Sequence, residues 1–240
     1  AIRNLIITLV VIVAILGVVI IGGYIYVRTT YGIDLFRTAG QLKTLTQAVD
    51  EKALCPNAFG EEDFAAMKTE LNKKFDGFVS YEEGKGFNGY SVNFGALAGK
   101  SMSGTISLTE KQVGAITQTV FYVQTGGKIK IGEKDVSVTV VQVDFSEIAA
   151  NGSADFNVVA KIDLTPFKAD MGEFPYKYFK KYIPDNFYVS STVRVDKTEK
   201  DGFSYTVTHK SLTLNNLSAD DTADLFNTLN AVLKIGTAEN

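Results

Sequence analysis

The chain has 240 residues, 45% of them hydrophobic and 21% charged, with a formal net charge of −3 and a pI of about 5.3. That composition is globular rather than disordered, and its mild acidity leaves no basic footprint, which excludes nucleic acid as a partner. Cys55 is the only cysteine, which excludes an internal disulfide and with it a secreted disulfide scaffold.

Residues 4–27, between Arg3 and Arg28, carry no charge, and residues 5–21 are almost entirely Leu, Ile and Val. A helix over that range spans about 36 Å at about 1.5 Å per residue, more than the roughly 30 Å of a bilayer core. The apolar run is longer than a signal peptide's, and the exit GGYIYVRTTYG offers no small-residue cleavage site. An uncleaved, single-pass transmembrane anchor over residues 4–27 is expected, with Tyr24, Tyr26 and Arg28 at the membrane interface. Arg28, Arg37 and Lys43 after the span, against Arg3 before it, would hold the large domain in the cytoplasm by the positive-inside rule. Against this stands a domain dense in Ser, Thr, Gly and Asn, without a cytoplasmic cofactor motif. Long domains also cross largely regardless of charge, so an extracytoplasmic domain is the expectation.

Leu35, Leu42, Leu45 and Val49 recur on one helical face, predicting a stalk helix that continues the anchor over residues 28–53. Leu35, Leu42 and Val49 are at heptad spacing, so pairing with a second copy or with another membrane protein is an expected mode of association. Cys55-Pro56-Asn57 breaks the stalk. Phe64, Met67, Leu71 and Phe75 predict a second helix from Glu61. Acidic Glu61, Glu62 and Asp63 open it and Lys73 and Lys74 close it, complementing the helix dipole. Residues 77–104 read as short strands and tight turns, with Asn88-Gly89 as a two-residue hairpin turn before the alternation Tyr90, Val92, Phe94. Residues 54–100 are thus a helix plus a glycine-rich hairpin region, and residues 101–240 an α+β sheet domain.

Within that domain residues 101–108 are strand-like. Thr109-Glu110-Lys111-Gln112 is a capping box opening a helix whose buried stripe is Val113, Ile116 and Val120. From Lys128 to Asn215 strands dominate. Val136, Val138 and Val140 share one parity and Val141, Val143 and Phe145 the other, the mark of an inserted bulge residue. Phe156, Val158, Ala160, Ile162 and Leu164 alternate, as do Phe187, Val189, Val193 and Val195. Phe203, Tyr205 and Val207 alternate before a second parity change at Leu212 and Leu214, beyond a turn at Asp201-Gly202. Two such slips in long strands predict a strongly curved antiparallel sheet. Residues 166–182 look partly helical. A last helix is capped by Ser218-Ala219-Asp220-Asp221, with Leu225, Leu229, Val232 and Leu233 as its apolar face. The expected fold class is therefore α+β: an N-terminal transmembrane helix, then a strongly curved antiparallel sheet packed with several helices.

No residue set carries a recognisable chemistry. Gly84-Lys85-Gly86-Phe87-Asn88-Gly89 has the spacing of a dinucleotide loop, but charged residues precede it and a β pattern follows, so hairpin geometry is the expected use of its glycines. His209 is the sole histidine, and a serine or cysteine hydrolase would have to use it. No nucleophile elbow accompanies it, and a strand histidine is expected. Cys55 is expected to be an inert thiol. Asp220, Asp221 and Asp224 stand where carboxylates stabilise a helix start rather than where they bind metal. No metal site, cofactor or catalytic residue is expected. The run Tyr176, Lys177, Tyr178, Phe179, Lys180, Lys181, Tyr182 alternates rings with ammonium groups and is the candidate membrane-interface or ligand-contact surface.

The order of elements has a resemblance. Anchor, stalk, the LTEKQVGAITQTV helix, long strands, an aromatic segment with Tyr182-Ile183-Pro184, more strands and a closing helix resemble small membrane-anchored envelope proteins of Gram-positive bacteria, of the YpmS type. More distantly they are similar to the tubular lipid-binding (TULIP) superfamily. The resemblance covers about residues 101–233 and leaves residues 54–100 without a counterpart. It implies a coiled sheet around a long helix with a groove for acyl chains, hence a non-enzymatic envelope protein binding a lipid-like ligand or a protein partner. A structural subunit of a membrane assembly and an anchored hydrolase using His209 are the alternatives.

Overall fold

In the computed structural model, the structure describes residues 34–98, 106–131, 134–146, 149, 153–170, 184–197 and 205–238. The expected anchor over residues 4–27, its interface residues Tyr24, Tyr26 and Arg28, the run Tyr176–Tyr182 and the turn at Asp201-Gly202 lie outside them. No helix among the described residues is long and apolar enough to cross a membrane.

The chain forms two compact units. Among the described residues, one takes in 34–45 together with 217–238, and the other lies within Thr46–Asn216.

In the first unit, helix α1 (Leu35–Thr46) contributes Arg37, whose guanidinium meets Asp221 Oδ1 at 3.3 Å and also pairs with Asp224. Gln41 Nε2 donates to the same Asp221 oxygen at 3.3 Å. The Ser218 hydroxyl accepts from the Asp221 N–H at 3.1 Å, as the sequence led one to expect of a cap. The stalk helix is shorter than the sequence suggests. Asp50 takes an extended backbone and accepts from the N–H groups of Lys52 and Ala53, starting a separate turn, α2 (Glu51–Leu54). Val49 therefore falls outside α1, and the heptad seam stops at Leu45.

In the second unit, helix α3 (Glu61–Lys74) buries Phe64, Met67 and Leu71, and Phe75 just after its end is buried with them. The Asp63 carboxylate accepts from the Gly60 N–H at 2.9 Å and closes the N-terminus. Strands β1 (Val79–Tyr81) and β2 (Tyr90–Val92) form an antiparallel pair with Tyr81 opposite Tyr90. Asn88-Gly89 is not the two-residue turn expected. The pair closes through residues 82–89, ending in a 3-10 turn over Gly86–Gly89. Asn72 on α3 donates to the Val79 carbonyl at 2.7 Å and accepts its N–H at 2.8 Å, bonding the outer edge of β1 at that residue. Phe94, expected to continue the alternation, instead starts a second 3-10 turn, Phe94–Leu97.

Ile106 and Leu108 are not in a strand, and they pack on the α3 cluster instead. Helix α4 (Glu110–Thr125) opens with the expected capping box, Gln112 N–H to Thr109 Oγ1 at 3.2 Å and Thr109 N–H to Gln112 Oε1 at 2.9 Å. Its buried residues are Gly114, Ala115, Gln118 and Thr119, while Val113, Ile116 and Val120 are only half-buried. The expected stripe is corrected because α4 has neighbours on two sides. Ala115 joins the α3 cluster, and Gln118 reaches the sheet.

Strands β3 (Lys128–Ile131), β4 (Lys134–Phe145), β5 (Ala154–Asp163), β6 (Asn186–Lys197) and β7 (Tyr205–Leu214) form an antiparallel sheet in that order, and a short helix α5 (Thr165–Asp170) precedes β6. Helix α6 (Ala219–Ala238) closes the chain in the first unit. The parity change in β4 is a bulge: Val140 pairs with Ala160 and Gln142 with Val159, leaving Val141 as the extra residue. The second slip lies between Thr192 and Val193 of β6, where Lys210 is the unpaired residue of β7. The expected strong curvature is corrected, since the sheet is not strongly curled. Curling needs kinks aligned across neighbouring strands. Here the two bulges lie on different strand pairs, and between them β5 and β6 run in unbroken register from Ala154–Val195 to Asp163–Asn186.

One sheet face carries Val138, Val140, Val143 and Phe145 of β4 and, through the register, Ile162, Ala160, Val158, Phe156, Phe187, Val189, Val193 and Leu212. The valines of β4 are buried. Over β5–β7 the same face is half-buried, and Val207 on β7 is 64% exposed. The opposite face is mostly polar, but Val159 and Tyr188 on it are covered by Cys55, Leu54, Val49 and Val141. Burying these side chains is the main hydrophobic gain of that layer.

Candidate functional site

Most of the described side chains that the sequence offers for chemistry have a structural use. His209 lies opposite Val193 at the exposed outer strand β7, and no hydrogen bond joins it to a carboxylate or hydroxyl among the described residues. Cys55 is buried beneath the sheet, and burial, reinforced by the charges of Glu51 and Asp144, pushes its thiol up to about 11. A thiol so placed is not a nucleophile at neutral pH. The Gly84–Gly89 loop runs into β2 rather than into a helix, and Gly84 and Gly86 adopt left-handed φ values of 82° and 53° that serve the loop itself. Asp221 and Asp224 are held by Arg37, and no group of residues suited to a metal ion occurs among the described residues.

Two ionic clusters sit on the polar face of the sheet. The Asp155 carboxylate accepts from Lys210 Nζ at 2.7 Å and Arg194 Nη1 at 3.2 Å, and Arg194 Nε reaches Asp196 at 3.0 Å. The Lys210 hydrogen bond, helped by that of Arg194, outweighs the opposing effect of burial and holds the Asp155 carboxyl below its ordinary range. Lys161 pairs with Glu51 at 3.3 Å and lies 5.6 Å above the Tyr188 ring. Burial works against its charge, but the hydrogen bonds to Tyr188 and Glu51 win and keep it above the ordinary lysine value. Both clusters join neighbouring segments and leave no base or nucleophile free. Exposed pairs of this kind contribute little individually.

What remains is a groove that sequence reasoning missed. Its first lobe, about 460 Å³, lies between the β1–β2 pair and α4, with Tyr81, Tyr90 and Tyr122 among its walls and Glu82, Lys85 and Asn88 at its rim. A second, adjoining lobe of about 220 Å³ is lined by Ser137 and Thr139 of β4 and by Gln118. Asn88 and Tyr122 line both lobes. Two rings are set by glycines. A Cβ at Gly127 would stand 2.8 Å from Tyr122 Cδ2, and one at Gly89 would stand 3.0 Å from Tyr81 Cε2 and 2.3 Å from the Glu82 carbonyl. Only glycine lets the chain approach these rings so closely. The Tyr81 and Tyr90 rings are 4.5 Å apart, and Lys85 Nζ pairs with Glu82 at 2.8 Å. Tyr81, Phe87 and Val123 are among the few large apolar side chains left exposed, and all three line the groove. The signal in the sequence was Gly89 and the paired Gly126-Gly127 near tyrosines, whose use depends on partners far along the chain.

Comparison with family models, curated proteins and solved structures finds no match. The groove's chemistry is therefore the guide to function. It has rigid aromatic walls, an amide, two hydroxyl-bearing strands and a neutralised ion pair. It is a surface that can bind.

Proposed function

We propose that this chain is a single-pass, membrane-anchored envelope protein that acts by binding and not by catalysis. Residues 4–27 are its anchor, and the domain from Thr29 onward lies outside the cytoplasm. The observation that carries this reading is the uncharged apolar segment between Arg3 and Arg28, long enough to cross a bilayer. It is supported by the structural use of Cys55, Lys161 and Asp155 described above and by the open groove beside β1–β2.

A second reading concerns the ligand. The resemblance to YpmS-type and tubular lipid-binding proteins implies a lipid-like ligand, and the half-buried apolar face of β5–β7, with Val207 exposed, favours such a ligand on the sheet. Mass spectrometry of gently purified protein tests it: a co-purifying lipid supports it, and a lipid-free preparation leaves a protein-partner or structural role. Protease added to intact spheroplasts tests the main reading. The domain should be digested from outside. A domain that survives until the membrane is broken is cytoplasmic, and the envelope reading then fails.

A further inference from the structure

We infer that the groove between the β1–β2 pair and α4 binds a neutral glycan chain, a proposal that rests on the extracytoplasmic reading only for where that glycan is met. Three features of the groove select this ligand class. The first is its walls. Tyr81, 38% exposed, and Tyr122 present rings fixed against glycines, so a ligand finds flat apolar surfaces already in place. A pyranose has a face of C–H groups that packs on such a ring, and preorganised contact area costs little ordering entropy on binding.

The second feature is the rim. Asn88, with a donor and an acceptor on one amide, is exposed and hydrogen-bonded to no described residue, and the Ser80 and Ser91 hydroxyls, 2.7 Å apart, stand on the adjoining strands. Neighbouring sugar hydroxyls offer the matching donor and acceptor pair. Ser80 and Ser91 already pair with each other, but an acyl chain would leave the Asn88 amide without a partner and would need a dry, enclosed cavity, which this open groove is not. The third feature is charge and shape. Lys85 is neutralised by Glu82 at 2.8 Å, so the rim favours no net charge on the ligand. Asn88 and Tyr122 line both hollows, so a chain lying over these two side chains can set one unit in each. An extended peptide would look for an open strand edge, and the outer edge of β1 is already occupied by Asn72 at Val79.

Saturation-transfer NMR on the full chain in a zwitterionic, sugar-free detergent tests the inference. The probes are two neutral tetrasaccharides, β-1,4-linked glucose and β-1,4-linked N-acetylglucosamine, with an acidic tetragalacturonate for comparison. Saturation is expected to pass from aromatic protons to the ring C–H groups of at least one neutral probe and not to the acidic one. Asn88→Ala should weaken that binding roughly five- to tenfold with an unchanged circular dichroism spectrum, and Tyr81→Ala should abolish it. Asn88 is exposed and makes no structural hydrogen bond among the described residues, so its variant folds even if that of Tyr81 does not. Transfer to neither neutral probe, preference for the acidic one, or transfer unaltered in Asn88→Ala overturns the inference. These outcomes are independent of the spheroplast experiment. A silent groove on an exterior domain removes the glycan and keeps the anchored protein, whereas sugar binding by a protease-protected domain keeps the site and removes the location.

Discussion

Replacing Gln118 by Met isolates one hydrogen bond that holds α4 to the sheet. Gln118 is 2% exposed, and its Oε1 accepts the Val140 N–H at 2.7 Å. That N–H has no strand to bond. On this side β3 begins only at Lys128, opposite Ser137, and the last backbone bond to β4 is from Val138 N–H to the Gly127 carbonyl at 2.8 Å. Met keeps the length and most of the volume of Gln and removes the acceptor. An unsatisfied buried donor costs about 1–3 kcal/mol, and the swap of shape adds less than about 1.5 kcal/mol. For domains of this size each kcal/mol moves Tm by about 2–4 °C, so the lost bond alone should lower Tm by roughly 2–12 °C. Gln118→Ala, which also opens a cavity, should melt lower still. The assay is calorimetry on the full chain, with hydrogen exchange at the Val140 amide as the local readout. A Gln118→Met protein melting within about 1 °C of the parent, with that amide still protected, would show that the bond contributes nothing and that α4 is held by apolar packing alone.

Gly114→Ala places a Cβ 2.4 Å from Phe59 Cδ1. The overpacking, about 1–3 kcal/mol, opposes about 1 kcal/mol gained in helix propensity, so Tm should fall by a few degrees, and the loss should shrink when Phe59 is also cut to Leu in a double-mutant cycle. Equal effects in both backgrounds would show that the ring gives way freely. Acid should weaken the fold through Asp155, Asp163, Asp196 and Asp221, whose carboxyls are all held below their ordinary range, Asp155 chiefly by Lys210 and Asp221 chiefly by Ser218. A depressed native value stabilises the fold above the unfolded carboxylate value, about 3.9. That contribution is lost as pH falls through the native value. Tm measured against pH should therefore drop below about pH 4, and less steeply in Asp155→Asn; parallel curves would remove Asp155 from the account.

Features written in local sequence were legible before the structure. Side chains alternate with period two along a strand, so the parity changes at Val140–Val141 and before Leu212 revealed both bulges. The boxes at Thr109–Gln112 and Ser218–Asp221 satisfy N–H groups within one turn, and α3 was read from its own spacing and end charges. The end of α1 was equally local, since Asp50 caps a new turn, but the apolar spacing of Leu42 and Val49 outweighed that signal in the reading.

Tertiary structure decided what depends on partners distant in the chain. Two layers press on α4, so its most buried residues are small or polar, Gly114, Ala115, Gln118 and Thr119, and no single apolar stripe describes it. The clip from Asn72 to Val79 ties β1 to α3, a contact that local sequence does not announce. Cys55 looks like a loop cysteine in sequence and is buried only because β5 and β6 bring Val159 and Tyr188 beneath it. The groove is the extreme case. It exists because glycines at 89 and 127 let Tyr81 and Tyr122 close on the backbone, and a glycine in sequence says only that space is available, not which ring will fill it.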